Sequence, residues 1–311
     1  MRAMWAITSY YNPMGYKRRL VNYRIFRKNL PLPLVAVELS FDGKFELCEG
    51  DADVLVQISD GAIVWQKERL LNLAVGSVPR TAATIAWLDC DIVFERPDWI
   101  EAATAQLNKS RVVQLFSEVI DLGSDDDAAT ATHRKLAPTG RGIVSLVTEN
   151  KLGPSNIVEL IQQVANARSK CVGFALAARR EIVESHGLYD AMVIGGGVRA
   201  LMAALYGQYE TLAQTYQLNK ARREHYLKWA LPYHDAVAES VGYVSGRMFH
   251  LWHGDGKNRK YRERHLKFAG FDFDPEADLR IGANGAWQWK RSRPDLNEFF
   301  ADYFMSRAED G

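Results

Sequence analysis

Asp89-Cys90-Asp91 closes the apolar run Thr84-Ile85-Ala86-Trp87-Leu88. Side chains alternate along a strand, so two carboxylates one residue apart project to the same side. Paired carboxylate oxygens hold hard divalent cations, and the chemistry implied is a metal presented beside a phosphate. Much later in the chain, His250-Leu251-Trp252-His253-Gly254 ends a strand-like stretch and runs into Lys257, Arg259, Lys260, Arg262 and Arg264. An imidazole at a strand end can add a nitrogen ligand to a cation already held by carboxylates. The cations that follow can neutralise a leaving pyrophosphate. The two histidines differ by three positions, an odd spacing, so a strand would point them to opposite faces, and only His253, nearer the loop, is expected to reach the metal. A third group lies on Trp65-Gln66-Lys67-Glu68-Arg69-Leu70-Leu71-Asn72, where Lys67 or Arg69 could hold a nucleotide phosphate or base while Leu70 and Leu71 pack inward.

The elements that must position these groups read as alternating strands and helices. Trp5 to Tyr10, Leu34 to Leu39, Val54 to Ile58, Thr84 to Leu88 and Val112 to Phe116 are strand-like. Between them, Gly15 to Asn29 and Val64 to Val75 carry helical periodicity, and Pro97 opens a helix through about Asn108 at a position where its missing N–H costs nothing. A βαβαβ series predicts an α/β fold with a mostly parallel central sheet flanked by helices. In such sheets ligands bind beyond the carboxyl ends of the strands, which is where Asp89 and Asp91 fall and where Thr8, Ser9 and Tyr10 follow the first strand. From about Asp121 to Asn156, through Asp125-Asp126-Asp127, periodicity is lost and loops or short strands are expected. Beyond it, Val172 to Ala177 reads as a strand, Arg179 to Ser185 as a helix ending at Gly187, and Gly195-Gly196-Gly197 precedes a helix over Arg199 to Tyr206. A longer helix is expected over Tyr209 to Leu231, a strand over Gly242 to His253, and then a basic, aromatic tail in which Trp287 and Trp289 could stack on a sugar or anchor the tail.

Composition removes several classes. The 311 residues are 47% apolar, enough for a full core, and 39 Lys+Arg against 38 Asp+Glu leave a net charge of +1. No global field recruits nucleic acid or an acidic membrane, so no nucleic-acid partner is expected. Three cysteines, Cys48, Cys90 and Cys171, without metal-type spacing fit a reducing compartment, and a cytoplasmic location is expected. The start lacks a signal-peptide core and no run is long enough to cross a bilayer, which leaves only peripheral membrane contact. The nucleophile elbow, zinc helix, P-loop and dinucleotide fingerprints are all missing. His186, His225, His234 and His265 have no convincing partners and read as surface or core histidines.

In order, these segments resemble the GT-A glycosyltransferases, in the branch with a galactosyltransferase-like C-terminal half (family 2 and family 7 C-terminal-domain type). The resemblance runs over roughly residues 5 to 265 through Thr8-Ser9-Tyr10, the Lys67 to Asn72 helix, Trp87-Leu88-Asp89-Cys90-Asp91, the block from Gly173-Phe174-Ala175 through Gly187-Leu188-Tyr189-Asp190 to Gly195-Gly196-Gly197, and His253-Gly254. It implies a GT-A domain over residues 1–265, with 266–311 as an extension packed on it. It implies a nucleotide-sugar donor, a UDP-sugar, bound across the first strands, with Mn2+ or Mg2+ bridging its diphosphate. Asp91 is then the main carboxylate ligand, Asp89 a ligand to ribose or metal, and His253 completes the coordination. Thr8, Ser9, Tyr10, Lys67, Arg69, Lys257, Arg259 and Arg262 fall among the donor-binding residues, and the Gly195 to Gly197 turn lets backbone approach the donor sugar. The acceptor implied is a hydroxyl of a glycan, such as a bacterial surface glycan.

One position departs from the pattern. Relatives in this branch carry an Asp or Glu immediately after the glycine run, where it deprotonates the acceptor hydroxyl. Here Val198 and then Arg199 stand there. Either another residue supplies the base, with Asp190 the nearest candidate, or the activity is lost or altered, or the residue is a substitution. A catalytically impaired nucleotide-sugar-binding protein is therefore the alternative. A sugar nucleotidyltransferase shares the metal and phosphate chemistry but shows a glycine-rich, basic loop after its first strand, which Ser9-Tyr10-Tyr11-Asn12-Pro13 is not.

Overall fold

The computed structural model describes residues 4–126, 131, 136–149 and 170–311. Its main sheet has seven strands: β1 (Met4–Tyr11), β2 (Leu34–Ser40), β3 (Val54–Ser59), β4 (Thr84–Leu88), β6 (Val112–Gln114), β10 (Ala175–Arg179) and β11 (Val241–Tyr243). They lie in the order β11-β6-β10-β4-β1-β2-β3. All run parallel except β10, which is antiparallel to both its neighbours. The expected α/β class with a mostly parallel sheet is thus observed.

Every residue of β2 is buried, because helices cover both faces. Leu34 and Ala36 join one core with Tyr23 and Phe26 of α1 (Lys17–Lys28) and Trp99, Ala103 and Leu107 of α3 (Trp99–Leu107). Val35 and Val37 join the other, with Leu70, Leu71 and Ala74 of α2 (Lys67–Ser77) and residues of the helices Gly197–Leu205 and Lys220–Val237. Leu296, Phe300 and Phe304 of the helix Pro294–Ser306 belong to that second core, and the Phe304 ring stacks on Trp65 at 6.4 Å. The tail therefore contributes apolar packing to the layer that carries α2.

A second sheet, β5-β12-β7-β8-β9, is built from β5 (Ile92–Phe94), β7 (Glu118–Asp121), β8 (Gly140–Gly142), β9 (Lys170–Cys171) and β12 (Arg247–His250). The strand expected over Gly242 to His253 is in fact two, β11 and β12, in different sheets, with the chain turning at Gly246 against Ser117. The long helix expected from Tyr209 is also two, Tyr209–Thr215 and Lys220–Val237. Gln217 adopts a left-handed φ of 46° between them, and Asn219 caps the second by accepting from the Arg222 N–H. Within the region expected to be loops or short strands, Ile143–Thr148 is helical, its Val144 N–H held by the Gln114 side chain. The aperiodic stretch lies partly outside the described residues, as does Asp127 of the acidic triplet. A hairpin of β13 (Leu279–Ile281) and β14 (Trp287–Trp289) precedes the helix Pro294–Ser306. Trp287 is in the core and donates to the Asp190 carbonyl, which anchors the tail, whereas Trp289 donates to Asn297 within the tail.

Candidate metal and donor site

The site forms where the two sheets meet. β4 ends at Leu88 in the main sheet and β5 begins at Ile92 in the second, so Asp89-Cys90-Asp91 is the crossing between them. The Asp89 N–H bonds to the Phe174 carbonyl, and the Asp91 carbonyl accepts from Leu251 N–H, which fixes both ends of the crossing. β12 lies between β5 and β7, with His250 opposite Ile92 on one side and Asp121 on the other. Strand register thereby brings Asp91, His250 and Asp121, far apart in sequence, to one spot.

Asp91, His250 and His253 offer one ligand atom each within 4.8 Å of one another. The Asp91 Oδ2 atom lies 3.3 Å from His253 Nε2 and 3.9 Å from His250 Nε2, and the two imidazole nitrogens are 3.0 Å apart. Asp91 Oδ1 is buried without a hydrogen-bond partner, an uncommon state for a carboxylate oxygen. Burial holds the Asp91 carboxyl above its ordinary range, against the opposing charge of His250. A buried carboxylate with one unpartnered oxygen and the other beside two imidazole nitrogens is a fitting donor set for a divalent ion. The opposite facing expected of the two histidines is not observed: both stand beside Asp91, because β12 stops at His250 and alternation does not extend into the loop that returns His253.

The two histidines are held differently. His250 Nδ1 lies 2.8 Å from Asp121 Oδ1, so the ring donates there and turns Nε2 toward Asp91, the nitrogen whose lone pair is free for an ion when the ring is neutral. Burial lowers the His250 pKa, but the Asp121 hydrogen bond and the Asp91 charge outweigh it and hold the ring above its ordinary value. His253 Nδ1 faces the Arg259 guanidinium. A guanidinium only donates, so Nδ1 accepts and the hydrogen of a neutral ring sits on Nε2. Burial, then the Arg259 charge, keep His253 well below its ordinary value.

Asp89 takes another partner, forming an ion pair with Lys67 at the start of α2. Burial would lower the Lys67 pKa, but the charges of Asp89 and Glu68 hold it above the ordinary value. Arg69 binds Asp190 at 2.9 Å, and Asn72 donates to the same Asp190 oxygen at 3.0 Å. Burial still leaves the Asp190 carboxyl raised. Leu70 and Leu71 are fully buried, as the helix pattern predicts. Thr8 is buried with its hydroxyl donating to the Leu88 carbonyl, Ser9 is partly buried, and the Tyr10 hydroxyl bonds Glu46.

The glycine run reaches α2 at Glu68. Gly195 and Gly196 have φ of 85° and 94°, a region L-residues avoid. The space beside each of the three is filled from within the chain: a Cβ on Gly195 would meet the Arg264 guanidinium at 2.8 Å, on Gly196 the Tyr216 ring at 2.8 Å, and on Gly197 the Glu68 carboxyl at 2.4 Å. Val198 packs against Gly173.

Among the basic residues after His253, Lys257 and Arg262 are exposed, whereas Arg259 is buried. Arg259, Arg19 and Arg307 converge on the fully buried Glu309, Arg19 at 2.6 Å and Arg259 at 3.1 Å. Arg259 therefore links this cluster to His253. Sequence reasoning missed Asp121, Glu68, Arg19 and Glu309. Asp121 and Glu309 reach their partners through long-range packing that leaves no local pattern, while Glu68 stood next to Lys67 on a helix already singled out.

No family model matches the chain, and no curated protein matches it in sequence. Solved structures to which it is similar include S. aureus TarS 1-349 in complex with UDP, at 9% identity and a TM-score of 0.41, covering 74% of this chain and 70% of that one. Glucosyl-3-phosphoglycerate synthase from Mycobacterium tuberculosis, in complex with Mn2+, UDP-glucose and phosphoglyceric acid, has 9% identity and a TM-score of 0.41, covering 94% and 88%. A Drosophila β-1,4-galactosyltransferase 7 mutant, in complex with manganese, UDP-galactose and xylobiose, has 9% identity and a TM-score of 0.38, covering 96% and 98%. Likenesses this distant carry no argument about this chain. By its own topology the chain has the helix-flanked, mostly parallel α/β sheet that the GT-A resemblance implied.

Proposed function

We propose that this chain is a metal-assisted GT-A glycosyltransferase that moves a sugar from a nucleoside-diphosphate donor, a UDP-sugar, to a hydroxyl acceptor, a glycan. The observation that carries the reading is the buried Asp91 carboxylate at the carboxyl end of β4, its Oδ2 beside two imidazole nitrogens and its Oδ1 without a hydrogen-bond partner. Asp91 and His250 would hold the ion, His253 would join them once its hydrogen moves from Nε2 to Nδ1 and the Arg259 contact is given up, and Asp89 pairs with Lys67. Two nitrogen donors favour Mn2+ over Mg2+, which prefers oxygen. The ion, when bound, neutralises charge on the departing diphosphate. Lys67 and Arg259 are the chain's own cations at the site, placed by α2 and by the segment after His253, and can stabilise the same developing charge. In the described residues no helix is long and apolar enough to cross a membrane, and Cys48, Cys90 and Cys171 are free thiols. Those thiols support the proposed cytoplasmic location.

The test is thermal stabilisation by UDP with and without Mn2+. A ligand at 100 times its dissociation constant adds about 2.7 kcal/mol, which a melting curve resolves. UDP protection that requires Mn2+ in the wild type and vanishes in Asp91→Ala is the expected outcome; unchanged protection in the variant removes the metal site. A second reading, a nucleotide-sugar-binding protein without turnover, is favoured by Val198, which places no acid after the glycine run. Mn2+-dependent UDP binding without release of UDP from any sugar donor would select it.

A further inference from the structure

The glycosyl-transfer reading lacks a proton acceptor, and Asp190, the nearest acid in sequence, is held by Arg69 and Asn72. Glu68 is placed otherwise. It lies on α2 directly after Lys67, is 5% exposed, and its carboxyl stands against Gly197, filling the volume that a side chain there would take. A small cavity opens beside it, lined by Lys67, Glu68, Trp87, Tyr189, Gly197 and Val198. Lys67 borders this cavity and pairs with Asp89, so the Glu68 carboxyl and the carboxylate crossing are one side chain apart.

We propose, resting on the glycosyltransferase reading, that Glu68 is the base that takes the acceptor's proton, reaching from α2 into the place left without an acid at Gly197 and Val198. The acceptor O–H bond breaks and its proton passes to a Glu68 oxygen. The acceptor oxygen forms a bond to the anomeric carbon of the donor sugar. The bond from that carbon to the β-phosphate oxygen breaks, and its electron pair leaves on the nucleoside diphosphate. Positively charged Lys67 keeps the adjacent carboxyl partly ionised, while burial opposes ionisation and the carboxylates Asp89 and Asp190 add to that opposition. The balance pushes Glu68 up to about 7, where a carboxylate can both accept and return a proton near neutral pH.

The experiment measures Mn2+-dependent UDP binding and UDP release for the wild type, Glu68→Gln and Glu68→Asp. The donors are UDP-glucose, UDP-galactose and UDP-N-acetylglucosamine, with water and methyl glucosides as acceptors. General-base catalysis contributes about 10²- to 10⁴-fold. Glu68→Gln is expected to lose at least about a hundredfold in UDP release while its UDP affinity stays within about threefold, and Glu68→Asp to recover part of the loss. Retention of more than about a tenth of wild-type release in Glu68→Gln overturns the assignment, as does a wild type that binds UDP with Mn2+ but releases none from these donors. A wild type that fails to bind UDP with Mn2+ sinks the donor-site reading itself, which is a different failure.

Discussion

Ionising Glu68 costs the folded state more than the unfolded chain, and that cost is measurable without any substrate. Burial raises its pKa from an ordinary 4.5 to about 7. At 1.36 kcal/mol per pH unit, the difference corresponds to about 3 kcal/mol. For a group whose folded pKa is raised, the favourable contribution is present in full below the unfolded pKa and is lost as pH rises through the folded one. Wild type should therefore lose about 3 kcal/mol between about pH 4.5 and about pH 7 that Glu68→Gln, which cannot ionise, keeps. For a chain of 311 residues, with an unfolding entropy near 2.1 cal/mol/K per residue, this is a shift of roughly 5 °C. Denaturant unfolding of both proteins at pH 5 and pH 8 isolates the effect, because other titrating groups cancel in the difference. The stability advantage of the glutamine variant should be larger at pH 8 than at pH 5 by about 2.5 kcal/mol, since part of the cost is already present at pH 5. Equal advantages at the two pH values would mean that the carboxyl is solvated in the folded chain, and would refute the burial argument.

Two further outcomes follow from the same neighbourhood. His250→Ala should weaken Mn2+ binding by calorimetry more than His253→Ala, since Asp121 holds His250 with its Nε2 toward Asp91, whereas Arg259 claims the acceptor nitrogen of His253; the reverse order would show that the tautomers are wrongly assigned. Glu309→Ala leaves Arg19, Arg259 and Arg307 without their shared, fully buried carboxylate and should cost about 3–5 kcal/mol in denaturant unfolding, whereas a loss under about 1 kcal/mol would place that carboxylate in water.

The parallel part of the sheet was legible because its strands are short apolar runs separated by helices with clear periodicity. β4 is observed over Thr84–Leu88, as the sequence predicts, with Asp89 and Asp91 following it. What could not be read was where one sheet gives way to the other. Gly242 to His253 has a continuous strand-like composition, and only the packing of Gly246 on Ser117 divides it between two sheets. The same division decides the site, because β12 is the strand that sets His250 beside Asp121 and Asp91. A facing argument built on one long strand therefore assigned a single histidine where the structure brings two.

Glu68 and Gly197 carry the same lesson in a form that bears on chemistry. Read along the chain, a glutamate next to Lys67 is an ordinary helix residue, and a third glycine followed by Val198 is a missing acid. In space they are complementary: a Cβ at 197 would lie 2.4 Å from the Glu68 carboxyl, so a residue larger than glycine there displaces the glutamate. The empty side chain at one position is what admits the carboxyl from the other. An acid presented from the first turn of α2 also inherits the Lys67–Asp89 pair as its immediate neighbour. That proximity couples the proton acceptor to the carboxylate crossing through one lysine, so the charge state of either end is felt at the other.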